Sequence, residues 1–237
     1  MVKLLIAFLM LSQIVMSQST PSSARSRAAI AKQTPQLEKS FMQSGLKLGA
    51  PVFIRVFKQE GELEVWVKGK DSFKLFNTYP ICNFGFGGLG PKLAEGDGKA
   101  PEGFYYVKAN QLNPNSSYHL SFNLGYPNAY DRAHKRTGTA LMVHGNCVSV
   151  GCYAMTDAKI EEIYTIVNAA LVGGQDYFRV HVFPFKMTET NLSQHKKSSW
   201  FSFWTNLKEG YDLFYENNYN PPNVTVSNGS YKFDKLK

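Results

Sequence analysis

Residues 144 to 154, His-Gly-Asn-Cys-Val-Ser-Val-Gly-Cys-Tyr-Ala, place an imidazole and two thiols on a stretch of small residues. A histidine can take the proton of a thiol and later return it to a leaving group, and the thiolate is a strong nucleophile. The pattern points to a Cys-His enzyme with Cys152 as nucleophile and His144 as base. Taken alone, His144 could equally be a structural histidine. Cys147, Cys152 and His144 could also be three ligands of a metal. No Cys-x-x-Cys or His-Glu-x-x-His pairing accompanies them, so neither metal nor cofactor is expected.

These groups need elements to hold them. Residues 140–143, Ala-Leu-Met-Val, read as a short buried strand that delivers His144. Thr156 or Asp157 can cap a helix whose apolar residues Ile160, Ile163, Tyr164, Val167, Ala170 and Leu171 recur at helical spacing. Gly173 and Gly174 end it. Cys152, behind Gly151 and facing that helix N-terminus, is expected to have its thiolate stabilised by the helix dipole. Upstream, residues 52–57, 63–68 and 73–81 are β-prone runs in a meander of hairpins. Residues 84–98 form a long glycine-rich loop of the kind that lines a site. It is no phosphate cradle, because no Gly-Lys-Ser/Thr follows and no Rossmann spacing opens a helix. Residues 103–109, 118–124 and 177–183 read as further strands, and 125–139 as a polar loop.

After Pro184 the pattern changes. Trp200, Phe203, Trp204, Leu207, Tyr211, Phe214 and Tyr215 fall at helical spacing, which fits core packing or carbohydrate binding. Residues 224–226 and 231–233 flank Asn228-Gly229, a strong hairpin signal because Asn-Gly accepts positive φ angles.

Ser149-Val-Gly-Cys152, with His144-Gly145 before it, resembles the Ser-x-Gly-Cys motif of the L,D-transpeptidase (YkuD-like) family of bacterial cell-wall enzymes. Residues 90–107, Gly-Pro-Lys-Leu-Ala-Glu-Gly-Asp-Gly-Lys-Ala-Pro-Glu-Gly-Phe-Tyr-Tyr-Val, are similar to the family's Thr-Pro-x-Gly-x-Phe segment, with Ala100 where Thr is usual. Residues 123–134 and 153–156 resemble its YafK-like branch. The likeness spans roughly residues 48–235. It implies a mixed α/β, mainly β fold: a catalytic domain of β-sandwich-like sheets with one main helix, plus a C-terminal helix and β-hairpin addition. It implies attack by Cys152 on a carbonyl at the third, diaminopimelate residue of a peptidoglycan stem, giving a thioester. A carbonyl near Gly145 would orient His144, N–H groups around Gly151 and Cys152 would form an oxyanion hole, and Ser149 would brace the loop or simply stabilise its turn. The branch resembles hydrolases that release the murein lipoprotein from diaminopimelate. The alternatives are a crosslinking or lipoprotein-attaching transpeptidase and a wall-binding module without turnover.

Two departures bear on substrate. Val150 stands where many members have His, and Ala154 stands where Arg or Asn is common. The first leaves His144 as the nearby base, and the second removes an anchor. Arg132 is the replacement candidate for a substrate carboxylate, since its planar fork suits that geometry. A structural ion pair with Asp131 is the competing reading. Asn128, Tyr130, His134 and Tyr153 are further candidates for substrate binding.

The net charge of +8 suits polyanions or carboxylate-bearing peptides. The basic residues are scattered and form no nucleic-acid reading element, so no nucleic-acid partner is expected. Lys3 and the apolar stretch 4–16 read as a cleaved export signal over 1–17, too short to span a membrane. The expected organisation is signal 1–17, linker and a short helical lead-in over 18–47, catalytic domain 48–187 and extension 188–237, in a periplasmic monomer. If Cys152 reacts, Cys82 and Cys147 remain, as a disulfide or as two buried thiols.

Overall fold

Strand β1, Val52–Phe57, reads Val-Phe-Ile-Arg-Val-Phe and is buried at every position. A strand that is apolar on both faces must lie inside a sheet covered on both sides. The computed structural model, which describes residues 19–234, places it so. The export segment expected at 1–17 lies outside the described residues. Among those residues no helix is long and apolar enough to cross a membrane.

β1 pairs antiparallel with β2 (Glu62–Lys68), which pairs with β3 (Phe73–Pro80), as the meander predicts. The other side of β1 pairs in parallel with β9 (Tyr177–Phe183), whose far edge carries β4 (Gly103–Lys108). The sheet order is β3-β2-β1-β9-β4. A second sheet, β5-β6-β7-β8, is made of Leu112–Asn113, Ser121–Asn123, Met142–His144 and Tyr153–Ala154. Its last pair is parallel, Val143 beside Tyr153 and His144 beside Ala154.

Helix α3, Asp157–Val172, lies between the sheets. Its apolar spacing is matched by burial, and Thr165 and Ile166 are buried as well, because both sheets and the helix at Ala24–Gln43 pack on it. Val52, Ile54 and Val56 of β1 share its core. The alternate residues Phe53, Arg55 and Phe57 face the other way, towards α5 (Phe201–Glu216). Period-two alternation thus gives one strand two cores.

The mixed α/β class holds, with more helix than one main element. Residues expected as linker and lead-in contain α1, Ala24–Gln43, capped by Ser23 and packed on α3 through Leu37, Phe41 and a Lys32–Glu161 ion pair of 2.7 Å. The polar loop contains the short helix α2, Ala129–Ala133, and α4 (Glu189–Gln194) precedes α5. The aromatic stripe of α5 is core: Trp204, Leu207 and Tyr211 pack with Phe57, Phe104 and Phe183 of the large sheet. The hairpin of β10 (Asn223–Ser227) and β11 (Ser230–Asp234) turns at Asn228 and Gly229, both at positive φ. Tyr231 joins the same core, so the hairpin, α5 and the large sheet share one apolar cluster.

Candidate active site

β7 delivers His144 to the wall of a cleft of about 460 Å³, and the loop after it returns Cys152 to the same cleft. His144 is 1% exposed. Its Nδ1 lies 2.6 Å from the Gly145 carbonyl oxygen, and Tyr118 covers its ring at 4.5 Å between centroids. A carbonyl only accepts, so Nδ1 carries the proton and Nε2 is left as the acceptor of the neutral ring. Burial holds the imidazole pKa below its ordinary value, and the Gly145 hydrogen bond opposes this only in part.

The half-buried Cys152 thiol receives the Met142 N–H at 3.4 Å and approaches the Ala140 carbonyl at 3.6 Å. Burial raises its pKa, with the Met142 N–H and the charge of Lys92 opposing. The helix-dipole expectation is therefore corrected. Cys152 is followed by β8 and by Met155 and Thr156 before α3 begins at Asp157, so the thiol does not sit on the helix N-terminus. The first turn of that helix holds the loop instead, because Asp157 Oδ1 accepts the Asn146 N–H at 2.7 Å. Thr156 occupies the cap position but its side chain makes no capping bond.

The loop between the two residues is braced at each step. A Cβ on Gly145 would come within 2.6 Å of Asp157 Oδ1 and 3.0 Å of Ile160, so only glycine fits there. Cys147 is bonded to Cys82 in a disulfide with Cα atoms 5.2 Å apart, which ties the loop to the segment after β3 and leaves Cys152 as the free thiol. Ser149 Oγ donates to the Cys152 carbonyl at 2.6 Å and accepts the Gly151 N–H at 3.0 Å. Ser149 thus braces the turn, and in doing so it occupies one of the two N–H groups expected for an oxyanion hole. Gly151 sits at φ 138°, with the Lys99 carbonyl 2.8 Å from where a Cβ would be. That contact packs the glycine-rich loop against the turn.

The glycine-rich loop forms the opposite wall and supplies a residue that the sequence reading missed. Lys92 is 4% exposed, lines the cleft and bonds Asp97 at 2.8 Å. Burial works against the Asp97 carboxylate, but Lys92 and the N–H groups of Leu93, Ala94 and Lys99 outweigh it and hold its pKa at about 2. A lysine in a loop carries no signal in sequence; the Asp five residues on and the glycines around it are the only hint.

The expected substrate-binding residues do not join Cys152 and His144 in this cleft. Tyr130 is buried, stacked on Tyr231 and His134. Asn128 caps α2 and donates to the Phe104 carbonyl and to Tyr231. His134 meets the Gly229 carbonyl, and the buried Tyr153 hydroxyl donates to the Pro101 carbonyl. Asn128, Tyr130 and His134 are occupied by packing because the polar loop folds over the hairpin, and Tyr153 because its ring is buried beneath β8. Arg132 is exposed, donates to the Pro127 carbonyl and lines two neighbouring clefts. Asp131 pairs instead with the buried Arg136 at 2.8 Å. Among the described residues no group of three or more His, Cys, Asp or Glu side chains could hold a metal ion.

The family model of the L,D-transpeptidase catalytic domain (YkuD) matches residues 51–182. An Escherichia coli K12 protein named "Putative L,D-transpeptidase YafK" is 48% identical over 202 residues, covering 85% of this chain and 80% of its own. The protein of that name from E. coli O157:H7 matches with the same figures. Among solved structures, the helical cell shape determining protein Pgp2 from Campylobacter jejuni is 18% identical with a TM-score of 0.45, covering 80% of this chain and 79% of its own. Bd1075 of Bdellovibrio bacteriovorus is 18% identical with a TM-score of 0.41, covering 71% and 59%.

Proposed function

This chain belongs to the L,D-transpeptidase catalytic-domain family, and on that premise we propose that it is a periplasmic cysteine hydrolase of peptidoglycan that cuts the amide between diaminopimelate and the murein lipoprotein. The observation that carries the chemistry is the fixed tautomer of His144: Nδ1–H is committed to the Gly145 carbonyl, so Nε2 accepts a proton inside the cleft that holds Cys152. The resting pair is a neutral thiol and a neutral imidazole, since burial disfavours both charged forms. Proton transfer to Nε2 therefore accompanies attack of Sγ on the carbonyl carbon at the third stem residue. The tetrahedral oxyanion is met by the Cys152 N–H. The protonated His144 returns its proton to the leaving amine, the C–N bond breaks and a thioester remains. Water, activated by the same Nε2, then hydrolyses the thioester and frees the thiol.

Residues 1–17 serve as the export signal in this reading, residues 48–187 as the catalytic domain and 188–237 as an extension. The outcome of the second step decides between hydrolysis and crosslinking. Purified protein is incubated with lipoprotein-linked sacculi in ¹⁸O-labelled water, and the muropeptides are weighed. Hydrolysis releases the lipoprotein remnant and places one label in the new diaminopimelate carboxylate. Unlabelled diaminopimelate-to-diaminopimelate crosslinks would make the chain a transpeptidase, and unchanged muropeptides would make it a wall-binding module.

A further inference from the structure

We propose that the catalytic cleft continues into a second groove that passes Arg132, ends against the C-terminal hairpin and holds an extended peptide bearing a carboxylate; this rests on the reading of the chain as a hydrolase acting on a peptide-linked stem. Three hollows share walls. Thr139 and Ala140 line both the Cys152 cleft and a shallow depression of about 910 Å³. Gly125 and Arg132 line both that depression and a cleft of about 300 Å³ between β4 and β10. The Ala140 carbonyl is the one 3.6 Å from Cys152 Sγ, so the first junction lies at the reacting atom. A chain leaving the scissile bond on that side runs directly into the depression.

The lining chemistry selects the occupant. Arg132 is the sole charged side chain among the residues lining the two outer hollows. It is exposed, and its donation to the Pro127 carbonyl anchors the guanidinium over the point where they meet. The depression beside it carries Asn113, Asn115 and Asn123. The Oδ1 atoms of Asn113 and Asn123 accept the Asn115 and Gly125 N–H groups, which leaves their amide N–H groups as donors for peptide carbonyls. The far cleft is apolar, with Val224 and Val226 over Phe104, and has the size of a side-chain pocket. An oligosaccharide fits less well. The rings of Tyr105, Tyr126 and Tyr231 along the path are buried, and the half-buried Tyr106 is held edge-on to Tyr177 with its hydroxyl donating to the Val224 carbonyl. A peptide with one carboxylate placed for Arg132 satisfies the charge, the amides and the apolar end together. Val224 and Val226 lie outside residues 51–182 that the family model matches, so this wall is supplied by the hairpin.

The test uses binding rather than turnover, so that its failure is separate from failure of the hydrolase reading. Full-length protein is titrated with a lysine-ended decapeptide carrying a free C-terminal carboxylate, with its C-terminal amide, and with chitotetraose, and the backbone amide resonances are followed. The peptide acid should shift Gly125, Arg132 and Thr225 and bind about tenfold or more tighter than its amide. Arg132→Glu should remove that preference, and Thr225→Trp, at an exposed position, should block the far cleft with Cys152 still acylated by a stem peptide whose diaminopimelate carbonyl carries only a small amine, which leaves as the thioester forms. Equal binding of acid and amide, shifts with chitotetraose alone, or no shifts with any probe would each overturn the proposal. Cys152 acylation, measured in parallel by mass, reports on the catalytic reading independently.

Discussion

The Nδ1 nitrogen of His144 lies 2.6 Å from the carbonyl oxygen of Gly145, its neighbour in the chain. A backbone carbonyl so placed fixes the ring without adding a negative charge. The imidazolium thus gains little from its partner, and burial keeps the pKa below the ordinary histidine range.

The pH profile follows from this. The acid limb of kcat/KM, where His144 becomes protonated and can no longer accept the thiol proton, should be centred below the ordinary histidine value of about 6.5. Activity should then stay level through neutral pH. Alkylation of Cys152 by iodoacetamide without substrate should rise only at alkaline pH, because burial raises that thiol. His144→Gln should remove the acid limb and slow the chemical step by about 10²-fold or more. An acid limb centred above neutral pH would show a charged partner that the Gly145 carbonyl cannot provide.

The two thiols of the loop should separate cleanly. Cys152→Ser and Cys152→Ala should abolish acyl-enzyme formation, read by intact mass, and keep the fold. Cys147→Ser breaks the bond to Cys82, which closes a loop across 65 positions. It should keep Cys152 acylation and lose about 2–4 kcal/mol of stability, read by denaturant unfolding. A thioester found on Cys147, or a Cys147→Ser protein as inert as Cys152→Ala, would reverse the assignment.

The sequence was most legible where one local pattern met one neighbour. The α3 spacing, the hairpin at Asn228-Gly229 and the β1–β2–β3 meander all appear as read, because each is decided by periodicity or turn chemistry. The pairing of His144 and Cys152 in one cleft was legible too, through seven intervening positions. Tertiary contacts that leave no local trace were not. Asn128, Tyr130 and His134 look like a polar binding loop, yet they pack against Tyr231 and Gly229, about a hundred positions away. The two-residue strand β8 is too short for any periodicity, and it is what moves Cys152 off the helix N-terminus. The lead-in helix α1 runs to 20 residues, longer than a Ser-, Ala- and Gln-rich stretch containing Pro35 suggests, because Leu37 and Phe41 hold it to the core.

Asp97 gathers Lys92 and three backbone N–H groups into the wall opposite Cys152. Its pKa is about 2 in the folded chain, below the ordinary carboxylate value of about 3.9. The stabilisation is thus present above that ordinary value and is lost as pH falls through about 2. Hydrogen exchange of the Leu93, Ala94 and Lys99 amides should quicken across that acid range while α3 stays protected. Asp97→Asn should bring the same loosening at neutral pH and raise KM more than it lowers the rate of Cys152 acylation at saturation. Unchanged exchange in Asp97→Asn would mean that backbone contacts alone hold this wall.

One buried carboxylate ties α5 to the glycine-rich loop. Glu102 is fully buried and accepts the Lys58 ammonium at 2.9 Å, the Gly90 N–H at 2.7 Å and the Trp204 indole N–H at 2.8 Å. Lys58, equally enclosed, also donates to the Gly90 and Ala100 carbonyls. Burial lowers the Lys58 pKa and Glu102 opposes it, so each charge depends on the other. Removing one partner leaves an unpaired buried charge. Glu102→Ala should therefore cost about 3–5 kcal/mol, whereas Lys58→Met with Glu102→Leu should recover much of the loss. Trp204→Phe keeps the apolar packing and removes one hydrogen bond to the carboxylate, a cost of about 1.5–3 kcal/mol. Because Gly90 opens the segment that carries Lys92, Trp204→Phe should also raise KM for stem peptides, although it touches no substrate. Denaturant unfolding of the single and double variants measures the coupling. If the losses of Lys58→Met and Glu102→Leu simply add, the carboxylate and the ammonium act independently and the extension is not tied to the catalytic loop through them.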